Sequence, residues 1–148
     1  MSDEAIRRSL AIRAYNAAAE LLDQPELDAD AAFRALADAL ASRELWSTIG
    51  TPVNLLIGDW QVARALCANG LGDDAVSIMA AVVDTANEMD VDDWLMASLH
   101  EGLARALNTT GDIRYEAVYT FTQSLIEAIV DDDDREIIAA QFADLPEP

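Results

Sequence analysis

Four polar residues have the types and spacing to form a ligand-binding surface: Asn54, Gln61, Arg64 and Glu101. Asn54 and Gln61 lie two helical turns apart, so a helix places them on one face, and Arg64 follows one turn beyond Trp60 and Gln61. Its guanidinium would offer a two-pronged fork to a carboxylate. Glu101 follows Trp94, Ala97 and Ser98 along a face of mostly small residues in a later helix. The four could converge on a groove for a small polar ligand or a peptide end. Equally, Arg64 could pair with Glu101 and the amides complete a buried network between helical hairpins. Trp46, Trp60 and His100 are candidate accessory residues. Each has a packing alternative, the tryptophans as hairpin contacts with bonded indole N–H groups and His100 as a core residue beside Met96, Leu103 and Leu107.

Formal matches to catalytic motifs fail on their context. Gly70-Leu71-Gly72-Asp73-Asp74-Ala75 has dinucleotide-loop spacing, but a helix precedes it where a strand must aim the loop. His100-Glu101 opens like a zinc-protease helix, yet Ala104 stands where the second ligand belongs. Asp131-Asp132-Asp133-Asp134 lacks the glycine and distal glutamate of a calcium loop, and reads as a helix-capping turn. Cys67 has no neighbouring His or Cys in sequence. No nucleophile–base pair can be named, so no enzyme, cofactor or metal is expected.

The elements that must position these residues are helices. Ile6, Leu10, Ala14, Ala17 and Leu21 recur at steps of three or four, which predicts a helix from Asp3 to Leu22 capped by Ser2 and stopped before Pro25. A second begins after Asp28 or Asp30 with Phe33, Leu36 and Leu40 on one stripe, and fades around residues 42–46. Thr51-Pro52 is a strong helix start, and Asn69-Gly70 a stop with Gly70 left-handed. Further helices are expected to open at Asp73, at Asp92 or Asp93, at Asp112 (through Val118, Phe121, Leu125 and Ile129) and at Asp134. Short loops make neighbours antiparallel. The expectation is one all-α domain over residues 1–148, with hairpins near 3–43, 51–90 and 92–130 and a terminal helix at 134–143. An irregular helical bundle is the alternative.

The chain of 148 residues is 52% hydrophobic, enough for a packed core, with a net charge of −19. All nine of its basic residues are arginine. Such a field repels nucleic-acid phosphates and anionic membranes, so neither is an expected partner. No apolar run is long enough to span a bilayer, the opening Ser2-Asp3-Glu4 has no signal-peptide character, and a single cysteine suits a reducing compartment. A cytoplasmic location is expected. Acidity spread from Asp3 to Glu147 fits a halophilic-type composition, in which salt screens self-repulsion; recognition of a basic partner is the rival explanation.

Asp59-Trp60-Gln61-Val62-Ala63 recurs as Asp93-Trp94-Leu95-Met96-Ala97, at the tetratricopeptide spacing of 34 residues. Ser42-x-x-x-Trp46, Gly50-Thr51-Pro52-Val53-Asn54 and Gly58-Asp59-Trp60-Gln61-x-x-Arg64 resemble a group of short prokaryotic tetratricopeptide-repeat-like (TPR-like) proteins. Glu101-Gly102-Leu103-Ala104-Arg105-Ala106 and Asp134-Arg135-Glu136 extend the resemblance more loosely. It implies a tetratricopeptide-like fold and a non-enzymatic role. The chain departs from the group in its acidity, its lack of lysine and His100. The functional expectation is therefore a protein- or peptide-interaction module. Its partner could be a second copy, held through the first helix at Ala14, Ala17 and Ala18. A small-molecule sensor or enzyme built on the polar cluster is the alternative. If salt adaptation explains the acidity, the unfolding midpoint will rise steadily with potassium chloride; a flat or falling midpoint would contradict it.

Overall fold

The computed structural model describes residues 1–148 and is all-helical. Its seven helices are α1 (Asp3–Leu22), α2 (Ala29–Ile49), α3 (Pro52–Ala68), α4 (Gly72–Asn87), α5 (Asp93–Thr110), α6 (Tyr115–Glu127) and α7 (Asp132–Phe142). None is long and apolar enough to cross a membrane. The chain clusters into two compact units, residues 1–71 with α1–α3 and residues 72–148 with α4–α7. Within the expected hairpins at 3–43 and 92–130, α1 packs on α2 and α5 on α6; the one at 51–90 straddles the boundary between units.

Local chemistry explains the helix ends. The Ser2 hydroxyl and Asp28 carboxylate accept from Ala5 and Ala31 amides at 3.2 and 2.8 Å. Thr51 and Asn54 form a reciprocal capping box, with Pro52 in the first turn where its missing N–H costs nothing. Gly70 and Gly111 adopt left-handed backbones (φ 73° and 68°), letting Leu71 and Asp112 amides reach back to the Leu66 and Leu107 carbonyls. Asp112 does not open α6 as expected. Its carboxylate instead accepts from the Arg114 amide and guanidinium within the preceding turn, and the helix begins at Tyr115.

The packing of the first unit differs from the expected stripes. Phe33 and Leu40 are 65% and 50% exposed, and Ile6 and Leu10 are also exposed. The buried contacts are alanines: Ala11 and Ala18 on α1, and Ala31, Ala32, Ala35 and Ala39 on α2, joined by Ser42. Side chains that end at Cβ let helix axes approach the short end of their usual 8–10 Å range. The Ser42 hydroxyl accordingly donates 2.8 Å to the Ala11 carbonyl across the pair. α3 packs on both helices. In the second unit, Ala97, Ile126, Ile129 and Ile138 form one core cluster and Ala104, Tyr119 and Leu145 another, both touched by Phe142. Phe121, expected on the α6 core stripe, is 52% exposed, while Tyr119, Thr122 and Ile126 face inward.

Gly58 admits the stem of Arg43, whose Nε donates 2.7 Å to Asp59 Oδ1. A Cβ at position 58 would lie 2.9 Å from Arg43 Cδ, so the ion pair holds the stem where the methyl would go. Gly58→Ala is therefore expected to lower unfolding stability by roughly 1 kcal/mol, overpacking outweighing the gain in helix propensity. In an Arg43→Ala background the same change should raise stability. A urea double-mutant cycle without that reversal of sign would refute the account.

Candidate functional site

The polar residues singled out from sequence divide between the two units. Asn54, Gln61 and Arg64 lie on α3, with Trp60 beside them and Trp46 near the end of α2, while His100 and Glu101 lie on α5.

Arg64 is engaged as a structural tie. Its Nη2 donates to the Leu22 carbonyl (3.2 Å) and to Asp23 Oδ1 (3.1 Å), with the guanidinium 5.9 Å from the Trp60 ring centroid. The carbonyls at the end of α1 lack helical partners and carry the negative end of its dipole, so a cation is favourable there. The Arg64 charge also tempers the Tyr15 phenol, whose pKa burial raises above its usual value, with Asp23 adding to the rise. Glu101 is fully buried and accepts from Arg105 Nε at 2.9 Å and Nη2 at 2.5 Å. The same Nη2 donates to the Gln141 carbonyl, and the Ser98 hydroxyl reaches the Gln141 side chain, so the pair holds the end of α7 on α5. The two charges considered as partners for each other thus have opposite charges within their own units. The Glu101–Arg105 spacing of four was a legible signal; Asp23, 41 residues from Arg64, left none.

His100 is buried, its Nδ1 2.9 Å from the Met96 carbonyl and its ring 5.1 Å edge-to-face from Phe121. Burial lowers its pKa, partly offset by the bond to Met96, so the imidazole is neutral at pH 7. That neutral ring carries its proton on Nδ1, which is committed to the carbonyl.

One crevice in the first unit brings two of the singled-out residues, Trp46 and Asn54, together with residues of α1. Ile12, Tyr15 and Asn16 of α1, Trp46 of α2, and Asn54, Ile57 and Gly58 of α3 line a crevice of about 230 Å³. Arg8 stacks over Trp46 at 5.4 Å. Asn54 Oδ1 accepts from both the Thr51 amide and hydroxyl, at 2.9 and 3.0 Å. This fixes the amide's orientation and leaves its Nδ2–H donors without a partner in the chain. Gln61, one turn beyond Gly58, is buried; its Nε2 donates 2.9 Å to the Tyr15 carbonyl, while its Oε1 has no hydrogen-bond partner. Sequence reading reached Asn54 and Trp46 but not Ile12, Tyr15 or Asn16, because the docking of α1 on α3 is a long-range fact.

An orphaned buried carbonyl costs about 1–3 kcal/mol, more than the Gln61–Tyr15 hydrogen bond returns. Gln61→Met, of similar volume, should leave stability within about 1 kcal/mol of the parent or increase it. A loss above about 2 kcal/mol in urea unfolding would show that the amide is required for the fold. In comparisons with protein-family models, curated proteins and solved structures, nothing matches this chain.

Proposed function

We propose that the chain is a non-catalytic interaction module of tetratricopeptide-like, helical-repeat type, and that the α1–α3 crevice takes an extended segment of a protein partner. The observation that carries this reading is Asn54, an amide locked by the capping box with free donors at the wall of an otherwise largely apolar crevice. A fixed amide donor suits a peptide carbonyl, Ile12 and Ile57 suit an apolar side chain, and Tyr15 and Trp46 supply aromatic surface. The volume supports a peptide over a small molecule. About 230 Å³ accommodates one or two side chains and falls below the ~300–1,000 Å³ typical of small-molecule pockets. The sensor or enzyme alternative needs Arg64 as an open fork, and its hydrogen bonds to Leu22 and Asp23 weigh against that. With a net charge of −19, the field favours a basic segment and speeds its encounter.

Panning a phage-displayed random peptide library against the protein tests the reading. Enriched peptides should carry an apolar residue flanked by Arg or Lys. They should bind the exposed-site variant Asn16→Arg at least about tenfold more weakly, since it places bulk and like charge at the crevice mouth. No enrichment, or equal binding to the variant, would defeat it.

A further inference from the structure

The side of α1 facing away from α3 carries an unusual combination. Ala11 and Ala18 are fully buried, Tyr15 supplies the carbonyl bound by Gln61, and these residues set the inward side of the helix. Ile6, Leu10, Ala14, Ala17 and Leu21 form a second stripe about a quarter-turn away. Ile6 and Leu10 are 42% and 44% exposed, and Ala14, Ala17 and Leu21 are half-buried. Seven of the nine arginines in the chain sit in ion pairs. The two that do not, Arg7 and Arg13, are exposed and flank this stripe. Glu20 is likewise exposed and outside any ion pair, two turns from Arg13 on the same flank. In a chain with 28 acidic residues, an unpaired arginine needs a reason.

We infer that this stripe is a self-complementary surface that takes a second copy of the chain, with the two α1 helices antiparallel about a two-fold axis that passes between Ala14 and Ala17. The stripe's segment Leu10, Ala14, Ala17 and Leu21 is palindromic, and Ile6 lies beyond it. In one antiparallel register Leu10 meets Leu21 of the partner subunit, and Ala14 meets Ala17 of the partner subunit, small residues at the centre allowing the backbones to close. Antiparallel helices bring equivalent flanks together, so Arg13 comes beside Glu20 of the partner subunit, and symmetry repeats the pair. The unpaired cation and the unpaired anion of one flank thereby satisfy each other. Leucines at the ends and alanines at the middle give the isologous contact that a two-fold dimer requires.

One helix face falls short of the ~800 Å² per partner of a standard interface, so the dimer is weak and concentration-dependent. This surface is separate from the Asn54 crevice and stands whether or not that crevice takes a peptide.

Sedimentation velocity over a concentration series tests it. The parent should show a reversible monomer–dimer equilibrium. Arg13→Glu and Glu20→Arg, both solvent-exposed, should each raise the dissociation constant by about tenfold or more through like-charge contacts, with unchanged circular dichroism. Mixing the two single variants places Glu against Arg at both positions and should restore dimers as a heterodimer. The double variant should restore a homodimer. A parent that stays monomeric at every concentration overturns the inference. So does a dimer indifferent to Arg13→Glu, or a mixture that fails to re-associate.

Discussion

The close approach of α1 and α2, marked by the Ser42 hydroxyl on the Ala11 carbonyl, governs the rest of the first unit. Alanine on both facing surfaces brings the two backbones together and leaves little room for large side chains between them. The larger apolar residues are then displaced to the flanks. Some meet α3 and close the crevice; others, such as Phe33, Leu40, Ile6 and Leu10, remain at the surface. α3 must in turn present a glycine to Arg43 and an amide to the Tyr15 carbonyl. Position and chemistry of the crevice therefore follow from a pair of helices whose contact residues are small.

The absence of lysine has a structural counterpart. Arg64 joins Asp23 to the Leu22 carbonyl, Arg105 joins Glu101 to the Gln141 carbonyl, and Arg135 joins Asp132 to the Ile129 carbonyl. Each guanidinium binds a carboxylate and a backbone oxygen near a helix end, Arg105 and Arg135 through two nitrogens of the planar fork and Arg64 through Nη2 alone. An ammonium, a compact point charge on a flexible stem, does not present that geometry. These contacts neutralise single acids while capping carbonyls that would otherwise face solvent or neighbouring side chains alone.

Helix identity was legible because its signals are local. Ser2, Thr51-Pro52 and Gly70 act within one turn of themselves, and the start of α1 and the bounds of α3 follow from them. Which face turns inward was not legible. When alanine occupies so many positions, apolar periodicity fits several orientations, and choosing the largest side chains as the core selected Phe33 and Leu40. The same limit applies to the site. Asn54 stood out through its seven-residue spacing from Gln61, but Tyr15 and Asn16 join it only because α1 docks on α3. Ion-pair partners followed the same division, Arg105 near Glu101 in sequence and Asp23 far from Arg64.

The Gln61–Tyr15 bond spans 46 residues, and Ser98–Gln141 spans 43 in the other unit. Loop-closure entropy grows only logarithmically, so the 46-residue span costs only about 0.3–0.4 kcal/mol more to close than the 31-residue Ser42–Ala11 span. Once α1 and α2 have met, α3 is already tethered close to its final place. Chains whose contacts are this local reach their folded state quickly, in microseconds to milliseconds for helical bundles. For a chain that exposes leucine and phenylalanine, rapid closure shortens the interval in which still more apolar surface is open to neighbouring molecules.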